Sequence, residues 1–433
     1  MNNFPARPGG TIGQWLASSI NEMAVTLWTC LSFYLMYVTG GQNEFVLFIP
    51  LAAGAAVFVA MTYRKPVLAK IDPVLSAGVF GLVFSILASY LFNSERYEMI
   101  FVAGNLVSAV LLFISLYAIT SRMDLDYKKL LIFQCVFATP VLPVILATSH
   151  MQWGRVMPEE LTPNYVGMMA LVCFIGACSA RSLWAVAVLA ALPLYSIIVM
   201  QSRNSLLACA TVGLIVLWYR LRGLGWKKLR PYLAMVFVGG PIICVGLYFA
   251  GFNVLEQVTD VFDNLTMIND EHRGINSGGS GRAELWQAAF NLWLAQPIFG
   301  VGFKGSPGLL PENLPAHNAY LGMLAETGLV GFISYLIIVF VGIYYILKRG
   351  ARLLSEYPER VAILVSYLLY GMLESRAFSF GNTYSLLFLL VTFDSSKHRV
   401  KPAFQVDFRR RDVPSAQPEA TTPTGLISRS KLS

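Results

Sequence analysis

Apolar runs about as long as a lipid bilayer is thick recur along this chain from residue 16 to residue 394, and every candidate fold has to accommodate them. A helix that crosses the hydrocarbon core needs roughly 20 mostly apolar residues, because its backbone polar groups find no water there and must bond within the segment. That criterion gives candidate spans at 18–39, 44–62, 74–93, 99–120, 130–148, 164–180, 183–200, 205–220, 232–251, 318–347, 361–375 and 383–396. The expected fold is all-α and polytopic, with about twelve transmembrane helices. Only 13% of the residues are charged, against roughly a quarter in ordinary globular domains, which leaves no room for a second, soluble domain of any size. Residues 1–396 are expected to form one transmembrane domain, broken by a single long polar loop at 252–317.

The basic residues decide which way the spans run. With the N-terminus inside, all but seven of the 32 Lys and Arg residues fall in cytoplasmic segments, leaving Arg96, Arg155, Arg203, Arg273, Arg282, Lys304 and Arg376 outside. Inverting the chain would reverse that bias, contrary to the retention of positive charge on the cytoplasmic side. Both termini are expected in the cytoplasm, and the long loop on the outer, periplasmic face. The same distribution accounts for the net charge of +8 through anionic lipid, and argues against nucleic acid as a partner. After Lys397 the chain turns basic and then rich in Pro, Ser and Thr; 397–433 is expected to be a disordered cytoplasmic tail. The six cysteines lie in or beside apolar runs and show neither zinc-ligand spacing nor a disulfide framework.

Against this background, the stretch 277–331 carries an unusual share of polar chemistry. Arg282 opens an amphipathic segment in which Leu285, Trp286, Ala289, Phe290 and Trp293 follow helical spacing, so the segment is expected to lie along the membrane surface. The glycines before it, Gly281 included, serve either as a hinge or as a backbone cradle for an anion at a helix N-terminus. His317 stands at the start of the next span. A neutral imidazole there can act as a general base, although a histidine bonded to local backbone is the alternative. Arg203 lies at the outer junction of two earlier spans, where an arginine requires an anion or a lipid phosphate to reach for. Glu326 sits nearly half a turn round the helix from His317, which argues against a direct pair. Glu374 and Arg376 are expected to form a structural ion pair.

The pieces GRAELW, QPIFGVGFKG and HNAYLGMLAETGLVG, in that order, resemble the signature region of the O-antigen ligase and polymerase superfamily of bacterial envelope glycosyltransferases. The earlier QSRNSLL resembles the arginine motif of that family, and TPNYVGMM its asparagine-containing segment. The resemblance implies a GT-C-like fold in the bacterial inner membrane and an active site on the periplasmic face. It also implies a glycan donor carried on undecaprenyl pyrophosphate and no need for metal, nucleotide sugar or ATP. Transferred to this sequence, it makes His317 the catalytic residue and Arg203 and Arg282 the pyrophosphate-binding pair, with Asn164, Glu326, Asn318 and Gly281 as supporting candidates.

Within such a family the expected function is an O-antigen ligase, which moves glycan from the lipid diphosphate to a sugar hydroxyl of lipid A-core, with inversion at the anomeric carbon. A polymerase of O-antigen or exopolysaccharide uses the same donor and stays open as the alternative. A polyprenyl-glycan transporter would also have about twelve spans, but should show internal repeats or charges near several span centres. The sequence offers no convincing repeat, and its polar residues gather at one face.

Overall fold

The computed structural model describes residues 19–38, 48–63, 65, 67, 69–152, 155–158, 161–180, 182–222, 282–356, 358–375, 378–380 and 382–399. They belong to one compact unit, Met1–Arg399. Helices α1 (Ile20–Val38), α2 (Phe48–Thr62), α3 (Pro73–Leu91), α4 (Met99–Arg122), α5 (Tyr127–Ala138) and α6 (Val141–Ala147) make the first half. Helices α7 (Pro163–Cys178), α8 (Leu183–Val199), α9 (Arg203–Arg222), α10 (Arg282–Ala295), α11 (Ala319–Glu356), α12 (Pro358–Leu373) and α13 (Thr383–Ser396) follow. Two small antiparallel pairs complete the set: β1 (Ala69–Lys70) with β4 (His398–Arg399), and β2 (His150–Gln152) with β3 (Arg155–Met157). Each expected span has a helix at its place except 232–251, which lies outside the described residues.

Local chemistry explains where several helices begin. Asp72 accepts hydrogen bonds from the backbone N–H groups of Val74 and Leu75, with Pro73 supplying a preset first helical residue. Asp126 caps α5 in the same way through Lys128 and Lys129. Among the described residues, four helical stretches are long and apolar enough to cross a membrane: Pro73–Leu91, Met99–Arg122, Tyr127–Ala147 and Ala319–Lys348. The chain is an integral membrane protein, and most of its described residues are helical. The other helices are shorter or more polar than a lone span requires, and they pack on these four stretches and on one another.

The centre of the bundle is α13. All 14 of its residues are buried, and α1, α4, α7, α11 and α12 pack around it. Its Tyr384 hydroxyl donates to Ser366 Oγ at 2.6 Å, and the Phe388 ring stacks on Tyr367 with centroids 3.8 Å apart. A helix so enclosed must also settle its charge. Asp394, near its C-terminal end, meets Arg360 at 2.8 Å and Lys397 at 2.5 Å, while the Arg360 guanidinium lies over the Tyr127 ring at 4.1 Å. Lys397, expected at the start of the loose tail, is tied to the bundle by this ion pair and by Asp124 at 3.6 Å. Residues 400–433, the rest of that tail, lie outside the described residues.

Removing one partner of a buried pair strands the other charge, which typically costs about 3–5 kcal/mol. Arg360→Met should therefore lower the melting temperature of the detergent-purified protein markedly, by a loss near the lower end of that range because Lys397 stays on Asp394. An unchanged melting curve would show that the bridge contributes nothing net.

Candidate functional site

At one end of the bundle, five elements bring polar side chains together. The turn between α8 and α9 sets the first of them. Gln201 adopts a left-handed backbone, φ 50°, and its N–H bonds to Ile198 O while that of Ser202 bonds to Ile197 O. This is a Schellman-type helix ending, with glutamine where glycine is usual. It reverses the chain and makes Arg203 the first residue of α9. Beside it, Asn204 donates from Nδ2 to the carbonyl of Leu373 at 2.9 Å, and Ser202 donates to Ser205 at 2.9 Å. Helix α7 comes close enough here that a Cβ on Gly167 would lie 2.4 Å from Ser202 Oγ.

That approach carries Asn164, about one turn earlier on α7, to the end of α12. Its Nδ2 donates to Glu374 Oε2 at 2.9 Å, and its carbonyl accepts the Tyr370 hydroxyl at 2.9 Å. Glu374 is only 4% exposed. The same Oε2 lies 3.8 Å from His317 Nδ1, a ring nitrogen that is buried without a hydrogen-bond partner. His317 is itself held in a left-handed conformation, φ 49°, directly before Asn318. The Asn318 side chain caps α11 by accepting from the N–H groups of Tyr320 and Leu321, both at 3.0 Å. Arg282, at the head of α10, senses the same carboxylate. Burial pulls its guanidinium below the ordinary arginine value, and the nearby Glu374 opposes that shift.

Two candidates do other work. The Glu326 carboxylate accepts from the Lys304 N–H at 2.9 Å and from Ser306 Oγ at 2.6 Å, and so fixes the loop after α10. Asn318 is a helix cap. Gly281 lies outside the described residues, as does Arg376, the expected ion-pair partner of Glu374. The apolar side of α10 has a protein partner that periodicity did not name. Its face of Leu285, Ala288, Ala289 and Leu292 packs on Leu321 and Ala325 of α11 and on Leu310 and Ala316, whereas Phe290 and Leu294 are left exposed. The helix places part of its apolar surface against protein.

The position of α10 rests on a break in α11 that the apolar run concealed. Gly328 takes φ +64°, and the segment 297–302 inserts at this point. Val301 and Gly302 donate to the carbonyls of Ala325 and Glu326 at 2.9 and 3.0 Å, while Leu329 and Val330 donate to Pro297 and Ile298 at 2.8 and 3.3 Å. The backbones cross so closely that a Cβ on Gly328 would lie 2.3 Å from Ile298, and one on Gly300 would lie 2.5 Å from Ala325 O. From the other side, Asn93 Nδ2 donates to Gly300 O at 3.0 Å, and the Tyr97 and Tyr90 hydroxyls donate to Val301 O and Phe303 O, both at 2.7 Å.

Sequence reasoning gave Glu374 only a structural ion pair and did not place it beside Asn164 and His317. The available signal was a carboxylate at the end of an apolar run, where such a group requires a partner. The loop gives a paired test. Gly300→Ala adds a side chain at φ +68° against fixed backbone and should destabilise the protein by at least about 1–3 kcal/mol, with loss of function. Gly308→Ala, in the same loop, meets nothing within 4 Å and should leave the melting temperature unchanged; equal behaviour of the two would rule out the crossing.

No curated protein matches the chain. The segment 185–336, which contains Arg203, Arg282, His317, Glu326 and the interrupted part of α11, matches the family model for O-antigen ligase. Over that stretch the chain is similar to the O-antigen ligase family.

Proposed function

We propose that this protein is an O-antigen ligase that transfers glycan from undecaprenyl pyrophosphate to a sugar hydroxyl of lipid A-core at the periplasmic face of the bacterial inner membrane. The observation that carries the reading is the grouping of His317, Glu374, Asn164 and Arg282 at one end of the bundle, with Arg203 beside Asn204 on the first turn of α9. The proposal includes about twelve spans, which the lengths of the apolar runs support, in the GT-C-like arrangement that the family resemblance implies.

In this reading the acceptor hydroxyl attacks the anomeric carbon from the face opposite the diphosphate. The new C–O bond forms, the bond to the diphosphate oxygen breaks with its electron pair, and the hydroxyl proton passes to His317 Nε2. Glu374 is the positioning partner. With Nδ1 directed at its carboxylate, Nδ1 carries the proton and Nε2 keeps the lone pair that a base needs. A separation of 3.8 Å is long for a hydrogen bond, and such contacts commonly tighten once substrate is bound. Asn164 holds the carboxylate in place. The departing diphosphate gathers negative charge that Arg203 and Arg282 would meet; at about 4 Å and an effective dielectric near 20, each guanidinium is worth roughly 4 kcal/mol before desolvation. Arg282 keeps its charge in spite of burial, as guanidinium groups do.

Ligation in detergent from a lipid-linked glycan and lipid A-core requires no sealed compartment, so it separates this reading from transport. His317→Ala should abolish transfer while donor binding persists. Glu374→Gln preserves the hydrogen bond to Asn164 but loses the charge beside Nδ1; kcat should fall by about 10²–10⁴ with KM little changed. Full turnover in either variant would sink the assigned role.

The polymerase remains the second reading because the donor chemistry is shared. A strain lacking the protein should accumulate long polyprenyl-linked polymer and make bare lipid A-core. Accumulation of single repeat units in its place would identify a polymerase.

A further inference from the structure

The far end of the bundle contains a groove with no part in this chemistry. The turn between α3 and α4 meets the loop after α10 through Asn93 and Tyr97, so the other ends of α3 and α4 face away from His317. Helix α4 has 24 residues and is about 36 Å long at 1.5 Å per residue. At its distal end α2 and α3 both pack on α4, and between them runs a cavity of about 510 Å³. Its floor is formed by Phe113 and Phe393, and its walls by Val59, Phe80, Ile114 and Tyr117.

Arg122 stands at the mouth of this cavity. Its Nη1 donates to Thr62 O at 2.6 Å and more weakly to Tyr63 O at 3.4 Å. Among the described residues, its Nε and Nη2 hydrogens make no hydrogen bond, and no carboxylate lies within ion-pair distance of it. The neighbouring acids are otherwise engaged: Asp72 caps α3 and accepts the Tyr345 hydroxyl, and Asp124 meets Lys397. Lys65 and Lys70, both exposed, flank the lining residues Tyr63 and Ile71 in sequence. An apolar slot of small-molecule size, with a guanidinium at one end and two ammonium groups nearby, matches a ligand with a hydrocarbon chain and an anionic head.

We infer that this groove is a binding site for an anionic glycerophospholipid, one acyl chain lying between α2 and α3 and the phosphate on Arg122. The diphosphate chemistry proposed above takes place at the other end of α4, so the head group on Arg122 belongs to a different lipid from the donor. A guanidinium presents a fork suited to phosphate oxygens, and basic residues at an anionic surface contribute about 1 kcal/mol each.

The test uses the full-length protein in detergent with native mass spectrometry and melting curves. The probes are phosphatidylglycerol and phosphatidylethanolamine with identical acyl chains. The wild type should retain phosphatidylglycerol over phosphatidylethanolamine by about fivefold, the factor that corresponds to about 1 kcal/mol. Arg122→Gln should abolish that preference. Because Arg122 also binds the end of α2, a second variant is needed: Val110→Trp, at a lining position 44% exposed, fills the groove without touching the arginine and should lower retention of both lipids. Equal retention of the two lipids by the wild type, an undiminished preference in Arg122→Gln, or full retention in Val110→Trp would each overturn the proposal. So would displacement of phosphatidylglycerol by undecaprenyl phosphate in an Arg122-dependent way, since the groove would then belong to the polyprenyl lipid.

Discussion

Backbone polar groups inside an apolar bundle must find partners within the protein, and the geometry of this molecule follows from how that requirement is met at one place. Helix α11 opens at Gly328, which would ordinarily orphan carbonyl and N–H groups on both sides of the break. The segment 297–302 supplies the missing partners through four backbone hydrogen bonds. The exchange costs two glycines, Gly300 and Gly328, because only there can two backbones pass without side chains between them. It secures a rigid join between α10 and the start of α11, and hence between Arg282 and His317. The Glu326 carboxylate and the tyrosines Tyr90 and Tyr97 brace the same loop from either side.

The polar cluster is built on this frame by elements far apart in the chain. Glu374 is the common partner: Asn164 donates to it, His317 Nδ1 faces it, and Arg282 lies within its field. A carboxylate with 4% exposure is costly unless positive charge and donors surround it. In the proposed mechanism, the need to neutralise Glu374 and the need to aim the imidazole are met by the same arrangement. Stability and chemistry therefore constrain one another at this end of the bundle, whereas the Asp394–Arg360 pair at the end of α13 has only the structural requirement to meet.

The sequence reveals most about length and least about depth. Among the described residues each apolar run holds a helix, because the bilayer fixes how many residues a span needs, and Asp72 or Asp126 before a run caps its start. Hydropathy cannot say which helix lies in the middle, since the enclosed α13, with its Asp, Ser and Thr residues, is less apolar than α3 or α8, which expose a face. It cannot show the break in α11 either, for a glycine inside a run resembles any other small residue until its φ is known. Leu285 and Ala289 fit a membrane surface as well as they fit Leu321, so periodicity alone could not name α11 as their partner. For Glu374 the nearest basic residue in sequence was Arg376, but its hydrogen-bond donor Asn164 comes from α7, and no local pattern carries that information.

The complete burial of α13 has a consequence for biogenesis. Ribosomes release this helix after all the surrounding ones, so α1, α4, α7, α11 and α12 enter the bilayer before the element that will separate them has been made. Until then they enclose either lipid or one another. The nascent bundle must keep a slot open for its own axis until the translocon delivers this helix.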